Sequence, residues 1–335
     1  MRKFTRFAFL LAMLMIASSN LHAADPVFEG GSGTDSTVGG IGNTAEGEES
    51  SAFGSYNYTY SDYSSAVGKK NNTSGNYSSA FGISNATNSN YSSAFGYGNV
   101  VSGESSIAVG YMNIINADYS NAFGYFSSTS AINSLSVGYA NNFDLDSWAP
   151  VDNGENSTAV GYNNYSSGNN SSAVGYNNYS SGESSNAMGY YNNSSGESSS
   201  TFGYNNSASG ISSNAFGNSN TAYGADSNAF GYCNTAYGDE SSAFGFNNLA
   251  NGLDSNAIGY RNIANADYSS AIGYQAVASP VLVVWIEVIL LFSILADAHS
   301  NVGRKKHIRL SIGIQETSVG TESSFQDNTV ISPVI

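Results

Sequence analysis

The side chains able to do acid–base or nucleophilic chemistry are few and scattered. The chain has three histidines, His22, His299 and His307, and none stands between residues 23 and 298. Serine is abundant there, but without an imidazole no Ser-His-Asp or Cys-His arrangement can activate it. Asp239 and Glu240 are adjacent, so on a strand their carboxylates face opposite sides. The glycines lack phosphate-loop spacing. The single cysteine, Cys233, permits no intrachain disulfide and reads as a tolerated free thiol. These residues point to no catalytic site and to no cofactor.

Two groups remain that could bind something. The segment Asp-Leu-Asp-Ser-Trp-Ala-Pro-Val-Asp, residues 144–152, is followed closely by Glu155. Asp144, Asp146, Asp152 and Glu155 could offer oxygen ligands to calcium, although their spacing matches no defined calcium loop. Trp148 could anchor a partner. The plainer reading comes first: a tolerated surface loop whose tryptophan folds back onto the protein. The second group is a row of tyrosines at a constant interval, including Tyr162, Tyr176, Tyr190 and Tyr204. Their amphipathic rings are of the kind adaptable binding surfaces use.

The interval comes from a repeat that must position everything else. Residues 170–183, Asn-Ser-Ser-Ala-Val-Gly-Tyr-Asn-Asn-Tyr-Ser-Ser-Gly-Glu, show its fourteen-residue unit. Its glycine recurs from Gly54 to Gly138 and, after nine extra residues, from Gly161 to Gly273, sixteen units in all. Gly40 is in phase and marks a degenerate first unit. The residue before the glycine is always apolar, from Phe53 and Val67 through Met188 to Ile272. Before that stands Ala in fourteen of sixteen units, with Ser136 and Thr201 the exceptions. Asn recurs three residues after the glycine, and a second Gly is common seven after it. Each unit holds two segments able to be short strands, with Gly and polar residues at the corners. Neither segment can bury a face alone, so stacked turns must share one core. Removing 144–152 restores the register, which makes that segment a loop leaving the stack. Alternation puts the residues flanking the glycine on one side of the strand. We expect one of them to fill the interior and the tyrosines to lie near its rim or at a subunit interface.

The pattern Ser-Ser-Ala-Phe-Gly-x-x-Asn-x-x-x-x-Gly resembles the head repeat of the YadA-like trimeric autotransporter adhesins over about residues 36–280. The consensus of that family is close to Asn-Ser-Val-Ala-Ile-Gly-x-x-Ser-x-Ala. The resemblance implies an all-β fold: a left-handed parallel β-roll, or solenoid, whose three chains associate side by side as a homotrimer. It departs from the family three residues before the glycine, where Val is usual and this chain has mostly Ser or Asn.

The ends read differently. Residues 1–23 have a basic start, an apolar run and a small-residue cleavage site, as a signal peptide does. Residues 24–50 are Gly-rich and acidic and read as a cap with the degenerate repeat. The head roll covers 51–280. Residues 281–335 open with sixteen mostly apolar residues, Val281 to Ala296, interrupted by Glu287. That run is short for a spanning helix and lacks outer-membrane strand alternation. Residues 301–317 faintly resemble the family's neck. Two explanations stand: a shifted or truncated reading frame, or an apolar tail that attaches the head to a membrane. No membrane anchor is identifiable.

Between residues 24 and 280 only Lys69, Lys70 and Arg261 oppose twenty acidic side chains. This balance excludes nucleic acid as a partner. By resemblance the chain is an exported adhesin head at the cell surface or outer membrane of a Gram-negative bacterium, released if no anchor exists. Its partners would be extracellular matrix proteins, host cells or sister cells. A structural fibre protein that self-associates and an ice-binding solenoid are the alternatives.

Overall fold

The computed structural model describes residues 28–279. Residues 1–23, read above as a signal peptide, and the tail from residue 281 lie outside the described residues. The chain divides into two compact units, Met1–Tyr176 and Asn177–Ile335. Each is built from the same turn.

In the first unit a five-residue strand alternates with a two-residue strand, as in Ser51–Ser55 with Tyr58–Thr59 and Ser65–Lys69 with Asn72–Thr73. Each pairs in parallel with its equivalent one repeat on, glycine opposite glycine, so that Gly54 faces Gly68 and Gly96 faces Gly110. The second unit runs the same way from Asn186–Tyr190 to Ser270–Tyr274, with Gly189 opposite Gly203 and Gly259 opposite Gly273. Each unit is a parallel β-solenoid of fourteen-residue turns, and no helix occurs among the described residues. The register passes the insertion intact, with Val137 opposite Val160 and Gly138 opposite Gly161. At the amino-terminal end Phe28–Gly30 runs antiparallel to Thr37–Ile41, which pairs in parallel with Ser51–Ser55. The first turn therefore starts at Thr37, and the antiparallel strand covers an edge that would otherwise invite pairing.

The repeat glycine is required twice over. Gly110 has φ +127° and Gly203 has φ +119°, a region closed to side-chain-bearing residues. A Cβ on Gly110 would also stand 2.0 Å from the carbonyl oxygen of Gly124 in the next turn. The corners are left-handed too, yet mostly not glycine. Tyr56, Lys70, Met112 and Cys233 hold the corner after the long strand, and Tyr63, Tyr77, Ser184 and Glu240 the one before it, with φ between 52° and 58°. Such a conformation costs a non-glycine residue about 1–2 kcal/mol. Bonds between turns offset this cost: Tyr77 N donates to Asp62 O and Lys70 N to Ser55 O, both at 3.0 Å.

The interior is small and largely polar. The Ala before the apolar position is buried completely, as at Ala52, Ala66, Ala187 and Ala229. The Asn three after the glycine is buried beside it and forms a ladder. In the second unit Asn220 Nδ2 donates to Asn206 Oδ1 (3.1 Å), to Phe216 O (2.9 Å) and to Gly231 O (2.7 Å). Asn220 Oδ1 in turn accepts from the backbone and side-chain nitrogens of Asn234. Asn57, Asn71, Asn85, Asn99 and Asn113 repeat the arrangement in the first unit. The other inward position, on the short strand, is filled by residues such as Thr59, Thr73, Thr87, Val101 and Ile115 in the first unit, and in the second by Ser180 and Ser194 and then Ala208 to Ala264.

This arrangement corrects the expectation that a residue flanking the glycine fills the roll. Neither does. The apolar residue before it and the Tyr after it both point outward, as at Phe95 and Tyr97, which are exposed. Two strands joined by such short corners stand too close for a phenyl ring between them. Ala, Ser, Thr and Asn fit, and the Asn that recurs three after the glycine lies inside.

Candidate binding surface

The outward face of the long strands carries three columns. A half-exposed Ser or Asn leads, then the apolar residue, then the Tyr beyond the glycine. Because each turn repeats the last in register, like side chains meet like. In the first unit Tyr97, Tyr111, Tyr125, Tyr139, Tyr162 and Tyr176 form one continuous stack with centroids 4.6–5.1 Å apart and planes within 7°. Tyr162 and Tyr176 thus sit within a ladder rather than as isolated contacts. In the second unit Tyr190 stacks on Tyr204 at 5.3 Å and meets Tyr191 edge-on. Tyr232, Phe246, Tyr260 and Tyr274 form a further stack there. Faces are used up in stacking, so these rails present ring edges and hydroxyls.

The apolar column runs alongside. Phe81 stacks on Phe95 at 5.2 Å, and Phe230 on Phe244 at 5.0 Å. In the second unit Met188, Phe202 and Phe216, with Asn186, Ser200 and Thr201, line an open concavity of about 570 Å³. Phe202 is 59% exposed beside it. Here Thr201 replaces the inward Ala and is buried, its hydroxyl 3.4 Å from Asn186 O.

The insertion forms a short hairpin of its own, Phe143–Asp144 antiparallel to Ala149–Pro150. Trp148 lies across Phe126 with centroids 5.0 Å apart at 89°, and Phe126 stacks on Phe143 at 5.2 Å. Trp148 packs against Phe126 and remains 65% exposed. Phe126 and Phe143 were not singled out from sequence. The usable signal was Phe126 itself, a phenylalanine at a corner that other turns fill with residues as varied as Tyr56, Lys70, Met112, Asn163 and Cys233, one turn before the insertion.

The four carboxylates named for calcium behave separately. Asp144 caps its own turn, accepting from Asp146 N at 2.9 Å and Ser147 Oγ at 2.7 Å. The Ser147 hydroxyl first, and then the Asp146 amide, hold its carboxyl below the ordinary carboxylate range. Asp146, Asp152 and Glu155 are exposed. Among the described residues no three carboxylate, histidine or cysteine side chains gather as a metal centre requires. Cys233 is half-buried at a corner.

A family model described as the YadA head domain repeat matches residues 61–84, 88–111, 153–178, 236–262 and 250–276. No curated protein is significantly similar to the chain.

Proposed function

The repeat region of this chain belongs to the YadA-like head repeat family, and from that premise we propose that the protein is the head of a cell-surface adhesin, acting as a side-by-side homotrimer through multivalent, non-catalytic contact. One observation carries the reading: the apolar column is on the outside of the roll. A chain whose interior is Ala, Ser and Asn while Phe, Val, Ile and Met line an outer face has its largest apolar surface unpartnered. Copies of the same chain, packed along that face, cover it.

The adhesive contacts fall to what association leaves free. Trp148 on its hairpin and the hydroxyl edges of Tyr162, Tyr176, Tyr190 and Tyr204 are the residues we assign to ligand contact. Three copies of each, repeated turn after turn, let weak contacts add by avidity. The ligand class is an extracellular matrix protein, a host surface or a sister cell, and the site of action is the outer surface of a Gram-negative bacterium.

Sedimentation equilibrium of the full chain at micromolar concentration tests the assembly, and a monomer would overturn it. Capture by immobilised matrix proteins tests adhesion, with Trp148→Ala and the four tyrosines changed to Ala weakening it. Self-association into a structural surface layer is the second reading, and the same apolar column serves it. Assembly that grows with concentration and retains no ligand would favour that reading.

A further inference from the structure

Some exposed tyrosines stack on their own kind away from the strand face that carries the apolar column. Tyr63, Tyr77 and Tyr91 occupy the corner before the long strand on three successive turns. Their rings stack at 4.7 and 5.1 Å, tilted by 5° and 3°, and are 40–56% exposed. In the second unit Tyr223 and Tyr237, each just after a short strand, stack at 4.7 Å and 10°. Both are about half exposed. Tyr119, by contrast, is exposed and stands between Ser105 and Asn133 in the same corner column.

We propose that these corner pairs are sites of oxidative tyrosine coupling, in which a dityrosine bond staples one turn of the solenoid to the next. A one-electron oxidant, such as a haem peroxidase supplied with hydrogen peroxide, takes one electron and one proton from each phenol. The two phenoxyl radicals join through one ortho ring carbon each, forming one C–C bond. The ortho hydrogens move to the oxygens as both rings regain aromaticity. Per bond, the protein loses two electrons and two protons, and one hydrogen peroxide becomes two waters. The fold supplies proximity: a radical at Tyr77 has a second phenol in contact, where a radical at Tyr119 must wait for another chain. Corner side chains can tilt out of the stack without disturbing the Ala and Asn interior. In the first unit each stacked pair of the strand-face ladder includes Tyr111, Tyr139 or Tyr176, which are less exposed, so there the corner pairs react first.

The test oxidises the full chain with peroxidase and hydrogen peroxide over a range of dilutions. Dityrosine fluorescence is followed, and cross-linked peptides are mapped by mass spectrometry. Peptides joining Tyr63 to Tyr77, Tyr77 to Tyr91 and Tyr223 to Tyr237 are expected, with a yield per chain that does not change on dilution. Tyr77→Phe keeps the ring and the stack and removes both first-unit cross-links. Tyr119→Phe changes none of them. Cross-links that disappear on dilution, or that involve Tyr119 and Tyr268 as often as the stacked pairs, overturn the proposal. So does a Tyr77→Phe, Tyr237→Phe double variant with undiminished fluorescence in a chain that still shows the β-rich circular dichroism of the parent.

Discussion

At the scale of residues, stability lies in the columns that point inward. Replacing Asn220 by Ala strips the carbonyls of Phe216 and Gly231 of a donor in a site sealed from water. The expected cost is about 3 kcal/mol, read as a lower denaturant midpoint, whereas Ser242→Ala on the outer face stays within about 0.5 kcal/mol. Gly203→Ala is expected to cost at least about 3 kcal/mol, because its φ of +119° and the Gly217 oxygen 2.1 Å from the new Cβ both oppose it. A variant that melts with the parent would show that the turns can slide apart. Tyr63 carries a pH signature. The carboxylate of Glu48 first, and then that of Glu49, raises its phenol above the ordinary value of 10.0. The folded state therefore holds this proton longer than the unfolded state. Its contribution is intact below pH 10.0 and is lost as pH rises through the raised value. Ultraviolet titration of the parent against a Tyr63→Phe variant should find Tyr63 ionising above 10.0, and Glu48→Gln with Glu49→Gln should bring it back.

At the scale of elements, the insertion is the one place among the described residues where the turn is interrupted. Asn142 Nδ2 at its edge is buried without a partner, as are the hydroxyls of Ser227, Ser241 and Ser255 in regular turns. The Asn ladder also lapses at Ser127, whose backbone nitrogen still donates to Asn113 Oδ1. Deleting Asp144 to Asp152 joins Phe143 to Asn153 in a fourteen-residue turn. The shortened chain is expected to fold and to melt no lower than the parent. Aggregation or a large loss of melting temperature would mean that the hairpin and its Trp148–Phe126 contact hold the neighbouring turns in place. In acid the hairpin should loosen before the turns do. Asp144 has a lowered pKa in the folded state, so its contribution is present above 3.8 and lost as pH falls through the lowered value.

At the scale of the whole molecule, the proposed assembly through the apolar face would tie stability to association. If copies of the chain cover Phe230 and Phe244, melting temperature should rise with protein concentration, by mass action on the folded, associated form. Phe230→Ser and Phe244→Ser should remove that dependence and shift sedimentation toward the monomer. Both leave the Ala229 and Ala243 interior untouched. A melting temperature indifferent to concentration in the parent would count against assembly through this face.

The sequence by itself determined the period, the glycine positions, the register across the insertion and the fold class. Each follows from one local constraint repeated: a strand of five, a corner, a strand of two, a corner, with glycine where the next turn's carbonyl comes close. Alternation also put Phe95 and Tyr97 on one side of their strand. Which side faces in was decided only by tertiary structure, because it depends on the gap between the two strands of a turn once neighbouring turns have fixed it. That gap admits Ala94 and Asn99 and not the ring of Phe95. The role of Asn99 was hidden for the same reason, since its partners Asn85 and Gly110 lie in other turns. Trp148 found Phe126 through the same stacking, across a distance in sequence that no local pattern records.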